Sequence, residues 1–335
     1  MNENMIQMGP AEASALLPEV YLWGIELIKV IQQTESPGVT ALINIITTLG
    51  SGYFFPPIVI LIFWLIDEKR GLRLGVLIIV SAWVNAFLKE VLGQPRPFHI
   101  EPSLGLTAAA GYGLPSGHAQ MSLIFWVSIA AWLSQVLAEK KQKRLTIWAL
   151  TVLLVLLIGF TRLYLGVHFP TDLFGGWALG FVILALWYFL SPFIAQKLAL
   201  GGIRVQNISA AVAALIMNGL LPMDRTLPAL FLGFCLGYNM MKQRFPFYAM
   251  AEINGKKPDT KIKIFRYLTG FSGIAIIFLA LRLIFPGEGS LFRDIPFWGA
   301  ASPLYETGHF IRYGLLGLWV SAGAPYIFKR MGLAS

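Results

Sequence analysis

The sequence predicts an all-α polytopic membrane protein, with about nine transmembrane helices following an N-terminal interfacial amphipathic helix. Composition is the first ground: 56% of the 335 residues are hydrophobic and 13% charged, with a mean hydropathy of +0.68. A soluble chain would carry about 25% charged residues. The second ground is a series of apolar runs of about 17–22 residues, each closed by charges or by Gly and Pro. The third is an alternation of basic loops along the whole chain. Alternating ten-residue segments, the mark of a membrane β-barrel, do not occur.

The elements follow in order. Met1 to Leu17 has neither a basic start nor a cleavable apolar region, so it does not read as a signal peptide. Residues 17–33 place Glu19, Glu26, Lys29 and Gln33 on one side of a helix and Leu22, Ile25, Ile28 and Val30 largely elsewhere. A helix of that kind lies in the membrane interface. Ser36-Pro37-Gly38 ends it. The next apolar run, 39–66, would measure about 42 Å as one straight helix, against a hydrocarbon core of about 30 Å. Gly50-Ser51-Gly52 and Pro56-Pro57 divide it into a short helix and a first span. Further spans are expected near 71–91, 117–138, 145–163, 168–190, 205–221, 227–241, 265–285 and 308–328. Three regions result: 1–38 as the interfacial helix, 39–190 as a catalytic membrane core, and 191–335 as additional transmembrane helices without an assigned role.

Net charge is +9. Of the 26 Lys and Arg, 18 fall in the loops 67–73, 139–144, 191–204 and 242–266 and at the C-terminus, all on one side of the expected topology. That side is cytoplasmic by the positive-inside rule, and the charge reads as topology and lipid headgroup contact, with no nucleic-acid partner. Cys235, the one cysteine, lies in an apolar run and reads as a packed small residue. Arg282 and Arg312 in the last spans are candidates for a second anionic headgroup or for pairing with Glu306 and Glu288.

Three blocks carry the chemistry, and the topology puts them together on the non-cytoplasmic side. Lys89 and Arg96-Pro97 combine a compact ammonium with a planar guanidinium fork, suited to one anion approached from two directions. Both also fit snorkelling at a span end. In Pro115-Ser116-Gly117-His118, a glycine at a helix start lets backbone N–H groups approach an anion, Ser116 adds a hydroxyl and His118 an acid or base near neutral pH. An ordinary helix cap fits the same residues. Arg162 and His168 are joined by a short turn, and Asp172 is four residues after His168, on the same helical face. A carboxylate holding one ring nitrogen leaves the other free to attack, although a structural His–Asp pair has the same spacing. Two-metal chemistry needs several ligating carboxylates or histidines. Only Asp172, Glu90 and Glu101 are near, and His99 reads as an interfacial aromatic, so neither a metal nor another cofactor is expected.

These blocks resemble the signature motifs of the type-2 phosphatidate phosphatase superfamily, which includes lipid phosphate phosphatases, sphingosine-1-phosphate phosphatases, microsomal glucose-6-phosphatase and vanadium haloperoxidases. The family pattern is Lys-x6-Arg-Pro, Pro-Ser-Gly-His and Ser-Arg-x5-His-x3-Asp. The chain departs from it at one position, Thr161, where the family usually has Ser. The resemblance covers roughly residues 20–190 and implies that Lys89, Arg96, Ser116, Gly117 and Arg162 cradle the phosphoryl oxygens. It further implies that His168 attacks phosphorus, His118 protonates the leaving alcohol and later activates water, and Asp172 orients His168.

The function expected is hydrolysis of a lipid phosphomonoester or pyrophosphate through a phosphohistidine, without a metal, among membrane lipids. The alternatives are the same chemistry on a soluble sugar phosphate, phosphoryl transfer to another lipid, and a non-enzymatic lipid transporter, which would have no need of His118, His168 and Asp172. The expected location is a bacterial inner membrane with the site facing the periplasm or exterior, or the ER membrane with a lumenal site.

Overall fold

A computed structural model describes residues 18–137, 139–221, 225–253, 255–296 and 298–335; the expectation for Met1 to Leu17 falls outside them. Its regular structure is helical: α1 Glu19–Gln32, α2 Pro37–Thr48, α3 Phe55–Leu65, α4 Glu68–Leu92, α5 Gly117–Val136, α6 Lys141–Tyr164 and α7 Pro170–Leu200. There follow α8 Gly202–Leu220, α9 Thr226–Arg244, α10 Thr260–Ile284, α11 Tyr305–Leu318 and, after a π turn at Trp319–Gly323, α12 Ala324–Arg330. Starts are set by local chemistry. Ser36 caps α2, accepting from Val39 N at 3.3 Å with Pro37 at the first position. Asp259 caps α10, accepting from Ile262 N at 2.8 Å.

Six segments among the described residues are long and apolar enough to cross a membrane: α4 with the turn beyond it, α5, α6, α7, α8 and α10. The sequence led us to expect about nine. Helices α2 and α3, with 12 and 11 residues, reach about 18 and 17 Å, short of the hydrocarbon thickness. Helix α9 ends in Lys242 and Arg244, and the expected 308–328 span is divided by the π turn.

The chain forms two compact units. One holds the described residues up to Phe55 together with Leu88–Leu184. In it α1 buries Ile25 and Ile28 against Leu104 and Phe169, while Val20, Trp23 and Val30 face outward. Ile43 of α2 is buried with Tyr164, Leu165 and Val167. Both N-terminal helices therefore rest on the turn between α6 and α7.

The other unit holds Pro56–Phe87 and Ala185–Ser335 around Phe63, Trp64, Phe234, Phe247 and Phe328. Gly233 and Gly237 of α9 meet the backbone of Gly314 and Leu318, so the small residues permit close helix approach. Arg266 is fully buried and donates to the carbonyls of Trp64, Ala249 and Leu333. Glu306 takes Arg225 as its ionic partner at 3.2 Å, in place of the Arg282 or Arg312 pairing considered from sequence.

Candidate active site

All eight residues singled out from the sequence belong to the first unit. Lys89 is near the C-terminus of α4, Ser116 to His118 open α5, Arg162 is near the C-terminus of α6 and Asp172 near the N-terminus of α7. The turn carrying His168 joins the last two. Helix ends that alternate C, N, C, N are the ends an up-and-down bundle brings to one level, which is how blocks about 80 residues apart converge. Gly166 lets the turn close: its φ is +66° and a Cβ there would collide with the Leu104 carbonyl.

His168 and Asp172 are both buried, and His168 Nδ1 lies 3.1 Å from Asp172 Oδ2. The same oxygen accepts from Phe169 N at 3.0 Å. On the other side of the ring, Arg96 Nη1 is 3.3 Å from His168 Nε2. Burial first, then the positive charges of Arg96, Lys89 and Arg162, push the imidazole well below the ordinary histidine pKa. The ring is neutral at pH 7. A guanidinium can only donate, so Nε2 bears the lone pair and Nδ1–H is given to Asp172.

The cations are held by backbone. Arg96 donates from Nε to Gly111 O at 2.8 Å, from Nη2 to Ala110 O at 2.8 Å and from Nη1 to Val167 O at 2.9 Å. Lys89 Nζ donates to Tyr112 O at 2.6 Å and Gly113 O at 2.8 Å. His99 Nδ1 accepts from Arg96 N at 3.3 Å, making His99 a brace for that loop. Arg162 differs: its Nη1 donates to Thr47 Oγ1 at 2.7 Å, and its buried Nε has no hydrogen-bond partner among the described residues. Arg162, Arg96 and Lys89 all act electrostatically on His118, which in turn acts on His168. Both imidazoles thus share one positive field.

Ser116 is buried and caps α5, its Oγ 3.5 Å from Ala119 N. Thr161 is buried too and donates to Ile158 O at 2.6 Å, back along its own helix. Among the described residues no group of three His, Cys, Asp or Glu side chains is placed to hold a metal ion. Sequence reasoning missed the carbonyls at 110–113 and 167, which carry no side-chain signal, and Thr47, far from the motifs in the chain.

Residues 70–194 match the sequence profile of the PAP2 superfamily, and residues 226–335 match that of the PAP2 superfamily phosphatase, transmembrane extension. The chain belongs to the PAP2 superfamily. This PAP2 protein is 30% identical over 208 residues to lipid phosphate phosphatase delta of Arabidopsis thaliana, a match covering 57% of this chain and 47% of the plant protein. It is 29% identical to undecaprenyl-diphosphatase of Sulfolobus acidocaldarius, covering 47% and 73% of the two chains. Phosphatidylglycerophosphatase B of Bacillus subtilis is 28% identical, over 45% of this chain and 75% of that one. The chain therefore spans about half the length of the plant relative and about three quarters of the other two. With six segments able to cross a bilayer and a matched transmembrane extension, this PAP2 protein is an integral membrane protein. The PAP2 match at 70–194 holds all eight site residues and leaves out Thr47.

Proposed function

We propose that the chain hydrolyses a phosphomonoester or pyrophosphate of a lipid through a phosphohistidine on His168, without a metal. One observation carries the reading: a buried, neutral His168 held by Asp172 at Nδ1, with its Nε2 lone pair against Arg96 and the whole ring in the field of Arg96, Lys89 and Arg162. In the first step, with the negative charge of the bound phosphate offsetting the cations so that His118 holds a second ring proton, Nε2 attacks phosphorus, the phosphorus–oxygen bond to the leaving group breaks, and His118 gives that oxygen the proton. In the second, water attacks phosphorus, the nitrogen–phosphorus bond breaks, His168 recovers its lone pair and His118 takes the proton. Asp172 balances charge that develops on the imidazole. Lys89, Arg96, Arg162, the Ser116 hydroxyl and the Gly117 backbone N–H stabilise the phosphoryl oxygens as their charge redistributes, the Ser116 N–H being given to Asp172 O at 2.9 Å. His118 is less buried than His168, which supports its role toward the leaving group and water.

Two features favour a lipid over a soluble substrate. Phe160 and Phe174 are exposed on α6 and α7, so the helices that carry Arg162 and Asp172 present apolar surface on their outer faces at the level of the site. The relatives named above are a lipid phosphate phosphatase, an undecaprenyl-diphosphatase and a phosphatidylglycerophosphatase. The site faces the non-cytoplasmic side in this reading, opposite the basic loops 67–73 and 139–144. That side is the periplasm or exterior for a bacterial inner membrane and the lumen for the ER.

The test is release of inorganic phosphate by purified protein in detergent with EDTA, across lipid monophosphates, a polyprenyl diphosphate and glucose 6-phosphate. Turnover of a lipid substrate that His168→Ala abolishes is expected. Parent-like turnover by His168→Ala overturns the nucleophile, and loss of activity on chelation overturns the metal-free route. Preference for glucose 6-phosphate would move the substrate class to a sugar phosphate, and a phosphorylated second lipid among the products would make the enzyme a transferase.

A further inference from the structure

We propose that Thr47 is a positioning residue for Arg162, so that α2, outside the matched 70–194 region, forms a working wall of the phosphate site. This rests on the phosphatase reading and adds a part to it.

Donor inventory separates the three cations. Arg96 has four of its five N–H groups directed at Gly111, Ala110, Val167 and His168, and Lys89 has two of three directed at Tyr112 and Gly113. Arg162 makes a single hydrogen bond among the described residues, to Thr47, and its buried Nε is left without a partner. Most of the uncommitted donors therefore belong to Arg162. A five-donor planar fork binds a tetrahedral oxyanion well only if its plane is fixed. The 2.7 Å contact with Thr47 Oγ1 is the hydrogen bond that fixes it.

The placement of Thr47 fits that task. It is in the last turn of α2, where the helix dipole leaves a partial negative charge that favours a cation. Arg162 has Arg96 as a repulsive neighbour, so the helix end and the hydroxyl offset a real penalty. Just beyond, a Cβ on Gly50 would be 3.5 Å from His118 Cδ2, which puts the end of α2 against the second histidine as well. Helix α2 is itself anchored: Thr40 Oγ1 and the Tyr164 hydroxyl are 2.8 Å apart, and Ile43 is buried with Leu165 and Val167. Its register is thereby locked to the segment that runs from Arg162 to His168.

The experiment compares the parent with Thr47→Val and Thr47→Ser, each also on an Arg162→Ala background. Orthovanadate inhibition, KM, kcat and Tm are measured in detergent. Loss of one hydrogen bond to a charged group should weaken orthovanadate binding and raise KM by about tenfold or more in Thr47→Val, with kcat changed less. Thr47→Ser, which keeps the hydroxyl, should stay within about twofold of the parent. On the Arg162→Ala background Thr47→Val should add nothing, because its partner is gone. A Thr47→Val chain with parental orthovanadate affinity overturns the proposal, as does an effect that adds fully to Arg162→Ala or that tracks a fall in Tm alone. A parent that binds no orthovanadate overturns the phosphatase reading and the role of Thr47 together.

Discussion

Arg96 donates to the ring nitrogen of His168 that would attack phosphorus: Arg96 Nη1 and His168 Nε2 are 3.3 Å apart. One contact thus does two things. It fixes the tautomer, since a guanidinium has no lone pair to offer, and it covers the nucleophile until an oxyanion competes for the same N–H. A phosphoryl oxygen accepting from Arg96 would bring phosphorus to the nitrogen it uncovers.

Asp172→Asn should therefore slow turnover strongly while leaving phosphate binding in place. An Asn amide can donate to Nδ1, which would move the ring proton to Nε2 and remove the attacking lone pair. Triads lose about 10⁴-fold when the carboxylate becomes an amide, and a loss of about 10²–10⁴-fold is expected here. Single-turnover phosphate release measures it, with orthovanadate affinity expected within about threefold of the parent. A kcat within twofold of the parent would remove Asp172 from the mechanism.

The depressed pKa of His168 has a consequence for stability. Below about pH 6.5 the unfolded chain takes up a proton at this residue that the folded chain refuses. Stability from this group is therefore fully present above about pH 6.5 and declines as pH falls, by up to about 1.4 kcal/mol per pH unit. Tm in phosphate-free detergent buffer should drop more steeply between pH 7 and 5 for the parent than for His168→Gln, which cannot titrate. Parallel curves would show that His168 protonates in place.

The parts of the site legible in the sequence are those a side chain announces. Lys89, Arg96, His118, Arg162, His168 and Asp172 are ionisable groups at span ends, where burial makes each costly, and their alternation along the chain put them at one level. The loop 98–114 reads as rather apolar and Gly-rich, yet its carbonyls at 110–113 hold Lys89 and Arg96. Backbone acceptors leave no trace in composition. Thr47 was invisible for another reason: it is one of several threonines in an apolar helix, and its contact spans 115 residues. Six segments among the described residues meet the length and hydropathy of a span where the sequence led us to expect about nine, because the shortness of α3 and the π turn after α11 do not change the average over a window.

Arg96→Ala should cost stability as well as activity. The guanidinium donates to the carbonyls of Ala110, Gly111 and Val167, and truncation leaves the buried Val167 carbonyl without that donor, while Ala110 and Gly111 are exposed to water. At about 1–3 kcal/mol for an unsatisfied buried group, a loss of about 1–3 kcal/mol is expected, read as a fall in Tm. Arg96→Lys should recover part of the stability, since an ammonium reaches one or two of the carbonyls, but little of the activity, since it cannot also address His168. Full activity in Arg96→Lys would assign the residue to charge alone.

Gly166→Ala tests whether the turn between Arg162 and His168 is set by backbone. At φ +66° an alanine is strained, and its Cβ would meet the Leu104 carbonyl, to which Gln32 Nε2 also donates at 2.9 Å. That carbonyl is backbone and cannot swing aside, so the turn must open and carry His168 away from Arg96 and Asp172. Overpacking of this kind costs about 1–3 kcal/mol, and shifts of about 1 Å at reacting atoms can cost about 10²-fold in rate. A kcat loss of that order is expected, exceeding any change in the thermal midpoint of a chain that still folds. Equal loss of kcat in Gly38→Ala, where a Cβ meets nothing within 4 Å, would show that glycine replacement near the amino-terminal helices is disruptive in general and that the turn is not special.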